Sequence, residues 1–598
     1  MTATRLRQRI PDPAQYLQLQ QQGHSELMAR ILAARLPVFA AHEKDAWLKQ
    51  QAIITPSLAA IHSPALLQDA ISAADRIVQA IQAKQIISIL TDYDVDGITS
   101  HALIFRALTR YFGVAASNIQ HHIGHRLEDG YGISQSLVDR ILAQPVKPHL
   151  IISADCGSSD EARIARLQQA GIDLIVTDHH ALPVEGPPQS AFAVVNPTRE
   201  DCDYPDATIA GVMVAWLLMS QVRTQLIAAG ILSAKSEKLV AELSFVALGT
   251  VADCVTTASA INRAVIQVGL KVMNKMEDPC WRVAKEQLQR SKDFTAEDLG
   301  FQIGPRINAR SRLADPFAAL HYLLAKTDQE AHRWLAYLNE DNEVRKLIEK
   351  AMVESAKVQA QRQVQEGRAV LVIYLEEGHS GVQGIVASRL ISQFGRPVFV
   401  LCDHHESGLL SGSGRSIAGF HLRDALQAVE DQQPGLLVKF GGHQGAAGLT
   451  IAKQHFQFFA SAMNGVGVSL LAMDELVPQI WTDGSLSAEQ LHLDTCEHIQ
   501  QLEPFGREFE KPLFSGEFPV MQCQAVGADP IHLKITLQHE GREVPAIWFR
   551  ARESAEHDFP IAQGDTLFCA YSLERNEFRK SVQLQLQIHY GEKREASR

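Results

Sequence analysis

Four segments of this chain carry residue types that could do chemistry: Asp92-Tyr-Asp94-Val-Asp96-Gly97, Asp155-Cys-Gly157, Asp178-His179-His180 and Asp253, each placed where an apolar run ends. Carboxylate oxygens and imidazole nitrogens without thiolate suit Mn²⁺ or Mg²⁺ better than a structural zinc. If they converge they make a divalent-metal centre, and the chemistry such centres do best is hydrolysis at phosphorus. Carboxylates at alternate positions, as in Asp92, Asp94 and Asp96, repel one another unless cations lie between them. Gly97 allows the chain to turn tightly there. A calcium loop of the EF-hand kind would need a helix before it and Glu at its twelfth position. Here a strand-like run comes first, and residues 102–111 are predicted to follow as a helix.

A His pair is ordinarily surface or satisfied core, but Asp178-His179-His180 follows a strand pattern, which favours a functional role. Asp403-His404-His405 repeats the tripeptide after another apolar run. No carboxylates at neighbouring strand ends accompany it, and Glu406-Ser-Gly follows as a turn, so it is read as an exposed loop. By itself Asp253, in Gly249-Thr-Val-Ala-Asp253, is equally a plain helix cap.

The elements that must position these residues show in the periodicity. At 598 residues the chain exceeds one hydrophobic core, so several domains are expected. Residues 1–70 are predicted as a helical segment, punctuated by Pro37 and Pro56. In residues 71–270, apolar runs at 86–90, 150–152 and 172–176 alternate with amphipathic stretches at 72–83 and 160–170, the rhythm of βα units around a parallel sheet. Ligands of such sheets bind beyond the carboxyl ends of the strands, where Asp92, Asp155 and Asp178 fall. Residues 271–366 are read as helical, ending in a long connector that Thr327-Asp-Gln-Glu330 opens as a capping box; a single helix up to Gly367 would be roughly 60 Å long. It looks like a link between two lobes rather than part of either core. A second α/β lobe, 367–465, has strands at 369–374 and 397–401 with Gly-rich loops at 408–414 and 441–448. From 470 to 598 the texture is β: Leu533, Ile535 and Leu537 alternate with polar residues, as do Val582, Leu584, Leu586 and Ile588, and a small closed barrel is the natural form. The fold class is therefore α/β, two lobes joined by a long helix, with an OB-like barrel at the C-terminal end.

Eight cysteines without a Cys-x-x-Cys pair fit neither a zinc ribbon nor a disulfide framework, and point to a reducing cytoplasm. The N-terminus has no apolar core of a signal peptide, and the longest apolar stretch, at 211–219, falls short of the about 20 residues that span a bilayer. No membrane role is expected. A net charge of -12 argues against a protein coated in nucleic acid but not against a local basic groove.

Further motifs make the pattern specific: His125-Arg126-Leu-Glu-Asp129-Gly130-Tyr131-Gly132, Gly304-Pro-Arg306-Ile-Asn308-Ala-Arg-Ser-Arg312, His379-Ser-Gly381-Val-Gln-Gly384, Ser411-Gly-Ser413-Gly414-Arg415 and Gly441-Gly442-His443. With the acidic segments, they make the first half resemble the DHH phosphoesterase superfamily, and the chain nearly end to end resembles the RecJ family of single-strand-specific 5'→3' exonucleases. That resemblance implies two Mn²⁺ or Mg²⁺ ions, one on Asp94 and Asp155 and the other on Asp96, Asp155, His179 and Asp253, with Asp92 and His180 close by and Asp178 orienting the imidazoles. His443 is expected at the charge that builds on phosphorus. Ser413, Gly414 and Arg415 suit a terminal phosphate, while Arg126, Arg306 and Arg312 are expected on backbone phosphates. In an OB-like barrel, Trp548, Phe549 and Phe578 beside Lys534, Arg575, Arg579 and Lys580 are the candidates for stacking and gripping a strand. Arg507 to Pro512, Arg310-Ser311 and Gly378 depart from the family's usual residues.

The implied activity is metal-dependent release of nucleotides from the 5' end of single-stranded DNA, in recombination and repair. The implied partners are single-stranded DNA, a single-strand-binding protein and a helicase, and the expected state is a monomer. Two other readings stand beside it: a DHH phosphoesterase of small substrates such as pyrophosphate, cyclic dinucleotides or oligoribonucleotides, and a non-catalytic DNA-binding relative.

Overall fold

The structure is a computed structural model that describes residues 4–39, 45–126, 128–313, 315–578 and 581–594. Two compact units divide the chain, Gln51–Leu476 and a second made of Met1–Gln50 with Val477–Arg598.

The larger unit opens with a five-stranded parallel sheet, ordered Ile119–Ile123, Ile87–Thr91, Leu150–Ala154, Asp173–Thr177, Ala193–Val195. Every residue of Ile87–Thr91 and Leu150–Ala154 is buried, as expected of strands covered by helices on both faces. Register sets which residues meet at the sheet's edge. Thr91 pairs with Ala154 and Ala154 with Thr177, so Asp92, Asp155 and Asp178 emerge level with one another at the carboxyl edge. The helix after Asp94 begins at Val95, earlier than the sequence pattern suggests, and runs to Arg106 before a π-helical turn at Ala107–Tyr111. Asp96 therefore sits in a helical first turn and not in a loop.

Gly211–Ala228 is an 18-residue helix that extends beyond the apolar stretch at 211–219 and is, by length and composition only, long and apolar enough to cross a membrane. Its surroundings account for that composition. With Leu243–Ala252 it packs into the sheet's hydrophobic core, so both helices are apolar on nearly every side.

The connector is one helix, Asp328–Gln365, 38 residues or about 57 Å. Thr327 caps it by accepting the Glu330 amide, but the Glu330 carboxylate takes the Lys326 amide, so only half of the expected capping box forms. Nor is it a bare link. Leu335 and Leu338 belong to the core of the first lobe, and Met352, Ala356 and Ala360 to a core of the second.

The second lobe's sheet runs Leu437–Gly442, Ala446–Ala452, Leu409–Arg415, Val398–Asp403, Leu371–Leu375, with only the last pair parallel. The Gly-rich segments expected as loops are largely strands. Gly412 pairs with Leu401 and Leu449, and Gly414 with Phe399; a Cβ at Gly412 would come within 2.9 Å of Leu401 and one at Gly414 within 2.5 Å of the Phe399 ring. Large cross-strand neighbours occupy the space where side chains would be, and glycine there serves close packing instead of turning.

In the smaller unit Arg5–Gln8 pairs in parallel with Gln479–Thr482, and Arg35 is buried in a two-point ion pair with Asp483 at 2.6 and 2.8 Å. Residues expected as one N-terminal segment thus divide, those up to 50 grouping with the barrel. The barrel is closed, in the order Phe514–Val526, His532–His539, Arg542–Trp548, Ser581–Arg594, Thr566–Phe578. Leu533, Ile535 and Leu537 fill it.

Candidate metal centre

Each acid is fixed by backbone amides before any ligand is considered. Asp94 caps the Val95–Arg106 helix, its Oδ1 accepting from the amides of Asp96 at 3.0 Å and Gly97 at 3.1 Å. Gly97 lies against the Asp92 carbonyl, 2.4 Å from where a Cβ would be, so the turn admits only glycine. Asp96 is gripped by the first amides of the Gly211–Ala228 helix, Gly211 at 2.7 Å and Val212 at 2.9 Å, a helix N-terminus that favours negative charge. Asp155 adopts φ +60°, a left-handed conformation costly outside glycine, which concentrates at functional sites. Its amide donates to the Thr177 carbonyl at 2.9 Å, and Gly211 leaves room for its side chain.

Asp178 behaves as expected of an orienting residue. Its Oδ1 accepts the amides of His179 and His180 and the Nδ1–H of His180, at 2.8, 3.2 and 2.7 Å, and its Oδ2 accepts the Ser158 amide at 3.0 Å. Tyr131, quoted in a motif but given no role from sequence, donates its hydroxyl to the Asp155 carbonyl at 3.3 Å and lies 2.8 Å from His180 Nδ1. The available signal was Gly130-Tyr-Gly132, whose glycines both take positive φ and swing the ring in.

These side chains converge. His179 Nε2 stands 3.3 Å from Asp155 Oδ1, 3.6 Å from Asp253 Oδ2 and 3.8 Å from Asp96 Oδ2. Donor atoms of Asp92, Asp94 and Asp155 lie within 4.8 Å of one another, as do those of Asp96, His179 and Asp253 and those of Asp155, His179 and His180. Asp155 and His179 between them join the three groups. Burial, then the charge of Asp94, raises Asp92 well above the usual carboxylate range and Asp96 to about 7; burial and Asp96 raise Asp155. Burial and the neighbouring His180 lower His179 to about 4, leaving it neutral and able to act as a ligand. Burial would also lower His180, but the hydrogen bond to Asp178 outweighs it and holds the ring up at about 9.

Two atoms decide whether metal fits. Asp155 Oδ1 and His179 Nε2 are buried with no hydrogen-bond partner, at the point where acids crowd together. Buried polar atoms are rarely left unpartnered without an ion or water to satisfy them, and this all-oxygen-and-imidazole set fits divalent Mn²⁺ or Mg²⁺.

A cationic face lies beside the acids. Arg126 stacks over Tyr93 with its guanidinium 4.1 Å from the ring centre. Arg312 donates to the Gly381 carbonyl at 2.6 Å, and Arg415 to Ser413 Oγ at 3.1 Å and the Gly414 carbonyl at 2.8 Å. Burial, then repulsion from Arg126, Arg415 and Arg345, lowers Arg312 to about 9, and burial with Arg126 lowers Arg415. Cations crowded so closely call for an anion among them. Arg306 differs, its guanidinium being committed to Asn339 and the Gln302 carbonyl.

Other expected residues fall elsewhere. His443 is exposed on the hairpin between Leu437–Gly442 and Ala446–Ala452, its Nδ1 accepting the Gly445 amide at 3.2 Å, and it is not among the donors that converge. Asp403 accepts from Lys453 at 2.9 Å and from Tyr374, and His404 is half-buried while His405 and Glu406 are exposed. Trp548 corrects the stacking expectation: it is 9% exposed and sealed inside the barrel against Gly591. Its neighbour Phe549 is 53% exposed, edge-on to His532. The Phe578 side chain, Arg579 and Lys580 lie outside the described residues.

Known proteins match the chain along most of its length. Residues 86–250 match the DHH family N-terminal domain, 367–466 the DHHA1 domain and 482–590 the RecJ OB domain. The single-stranded-DNA-specific exonuclease RecJ of Haemophilus influenzae is 36% identical over 532 residues, covering 87% of this chain and 90% of that protein. Its counterpart in Escherichia coli is 35% identical over 514 residues, covering 84% and 86%. Among solved structures, exonuclease RecJ bound to manganese is similar at 30% identity and TM-score 0.55, over 69% of this chain and 98% of that one. RecJ of Thermus thermophilus in complex with Mn²⁺ shares the fold, with TM-score 0.78 and 24% identity over 99% of this chain and 80% of that one. Domain order, identity sustained over most of both chains, and an acid cluster on one sheet edge agree, and the chain belongs to the RecJ family.

Proposed function

We infer that this chain is a metal-dependent exonuclease that hydrolyses single-stranded DNA from its 5' end, acting in recombination and repair. The observation that carries the reading is the buried, unpartnered pair Asp155 Oδ1 and His179 Nε2 within a ring of acids, next to arginines that repel one another. Asp94 with Asp155, and Asp96, Asp155, His179 and Asp253, with Asp92 alongside, would hold two divalent ions, which supply the Lewis acidity and acidified water that in-line attack on a phosphodiester requires.

The chain's own residues do the rest. Arg126 and Arg312 grip backbone phosphates and align the strand, while Arg415 and Ser413, with the backbone at Gly414, take the terminal phosphate. Arg306, tied to Asn339, supports its helix instead of gripping. Because Gly445 donates to His443 Nδ1, the neutral ring carries its proton on Nε2 and can donate to a phosphoryl oxygen as charge builds there. Asp178 and Tyr131 fix the orientation of His180 beside Asp155. Hydrolysis between the first and second nucleotides leaves the shortened strand with a new 5' phosphate, so each product regenerates the end that Arg415 recognises.

A single-strand exonuclease needs strands already opened, so a helicase and a single-strand-binding protein are the partners this reading calls for. The cytoplasm, where DNA lies in bacteria, is its place, and a monomer suffices since one chain holds every residue invoked. The test is digestion of end-labelled single and double strands with Mn²⁺, Mg²⁺ or chelator. Mononucleotide release from the 5' end of single strands is expected, and only with metal. Release from 3' ends, or undiminished release in chelator, refutes it.

A further inference from the structure

A groove of about 300 Å³ opens beside Arg415, the size at which ligand sites begin. Its floor is one face of the Gln383–Phe394 helix, where Gly384, Ser388 and Ser392 recur every fourth residue with Ile385. The two serine hydroxyls turn back onto their own helix, to the carbonyls of Gly384 at 3.0 Å and Ser388 at 3.2 Å, while Arg389, which also lines the groove, donates to Glu349 at 2.8 Å. Gly384 keeps the floor open at the cationic end, since a Cβ there would lie 2.6 Å from the Arg415 guanidinium.

The wall of the groove is Phe301, 76% exposed. Single exposed apolar residues are common and need no explanation, but two facts set this one apart. It sits in the π-helical turn Leu299–Ile303, an irregularity concentrated at functional sites. The same turn buries Leu299 and Ile303 almost completely, so core packing is met without Phe301. The turn also leads directly into Gly304–Leu313, the helix that delivers Arg312 to the cationic cluster.

One end of the groove thus takes an anion at Arg415, and the other offers an aromatic face over a flat floor whose one further charged residue, Arg389, is paired with Glu349. A nucleotide has that composition. We propose that Phe301, with the helical face of Gly384, Ser388 and Ser392, forms a subsite for the base of the 5'-terminal nucleotide, whose phosphate is held at Ser413 and Arg415. This rests on the exonuclease reading above. A base seated there has left its own stack, so a paired 5' end must fray before it can enter, and Phe301 contributes to the preference for single strands.

The experiment compares the parent protein with Phe301→Ala and Phe301→Trp on 5'-phosphorylated single strands. One strand is normal, one is abasic at the first position and one is abasic at the second. Alanine should lower kcat/KM about tenfold on the normal strand and on the strand abasic at the second position, the scale of one base–aromatic stack. On the strand abasic at the first position it should change nothing measurable. Tryptophan should keep parental rates, and thermal unfolding should be the same in all three proteins because the side chain is exposed. Equal losses on all strands, no loss on any, or a loss that depends on the second base overturns the subsite. If the parent releases no 5' nucleotide from any strand, the exonuclease reading itself fails, and the subsite with it.

Discussion

At the scale of single residues, Asp155 is where conformation, charge and chemistry meet. It holds a left-handed backbone, is buried among Asp92, Asp94, Asp96 and Asp253, and leaves Oδ1 without a partner. Asp155→Asn tests these properties together, because asparagine tolerates left-handed φ while removing the charge. We expect hydrolysis to fall more than about a hundred-fold, beyond the roughly 10- to 100-fold cost of losing a group that merely supports a metal ligand. Strand binding should stay within several fold, since the arginines are untouched. In chelator the variant should melt above the parent, because acid repulsion is relieved; lower melting would contradict this. Asp96 adds a pH dependence. With its carboxyl raised to about 7 in the metal-free protein, a proton must leave before metal binds. Apparent Mn²⁺ affinity should therefore weaken as pH falls through about 7, with the raised carboxyls of Asp92 and Asp155 extending the dependence above it, which titration calorimetry at about pH 6, 7 and 8 would measure.

At the scale of elements, the centre depends on helices approaching more closely than side chains normally allow. Gly249, in Leu243–Ala252, faces the Val95–Arg106 helix, and a Cβ there would lie 2.5 Å from Thr99 Oγ1 and 2.7 Å from Asp96 Oδ1. Gly249→Ala must push one helix away, at a cost of about 1 to 3 kcal/mol. Because that helix carries Asp253 at its end, the shift reaches the metal site. Denaturant unfolding should show the stability loss, and Mn²⁺ titration a weakened site. A metal site left unchanged would mean the helices part without moving Asp96 or Asp253. Glycine at 412 and 414 follows the same logic within a sheet, where Leu401, Leu449 and Phe399 fill the space.

At the scale of the whole molecule, the two lobes of the larger unit share one helix, since Asp328–Gln365 contributes to a core in each. Asn342, Arg345 and Glu349 are buried along it, and Glu349 also accepts from Arg389, so the helix carries a polar network next to the cationic cluster as well as apolar contacts. The barrel unit has its own core and its own exposed aromatic, Phe549. Phe549→Ala should weaken binding of long single strands by about five- to tenfold, one stacked base, while leaving cleavage of a short strand unchanged. Fluorescence anisotropy on long strands and turnover of a trinucleotide separate the two, and equal loss on both would remove the barrel's role in holding the strand.

Local pattern alone determined much of the architecture. Alternation of apolar runs with amphipathic stretches marked the parallel sheet, and the acids following the runs at 86–90, 150–152 and 172–176 stood out because strand ends are where such sheets bind ligands. Period-two alternation marked the barrel, and unbroken helix-forming sequence marked the connector. Tertiary structure alone decided what depends on register and approach. Thr91, Ala154 and Thr177 had to align for three acids to meet, and Asp253, at the end of a helix, had to be carried to His179 by packing that no local period encodes. The fate of Trp548 was likewise settled by barrel closure, which turned one of two adjacent aromatics inward and left Phe549 outside. A sequence sets the period of each element, whereas which ends and faces meet is fixed only when elements pack against each other at contact distance.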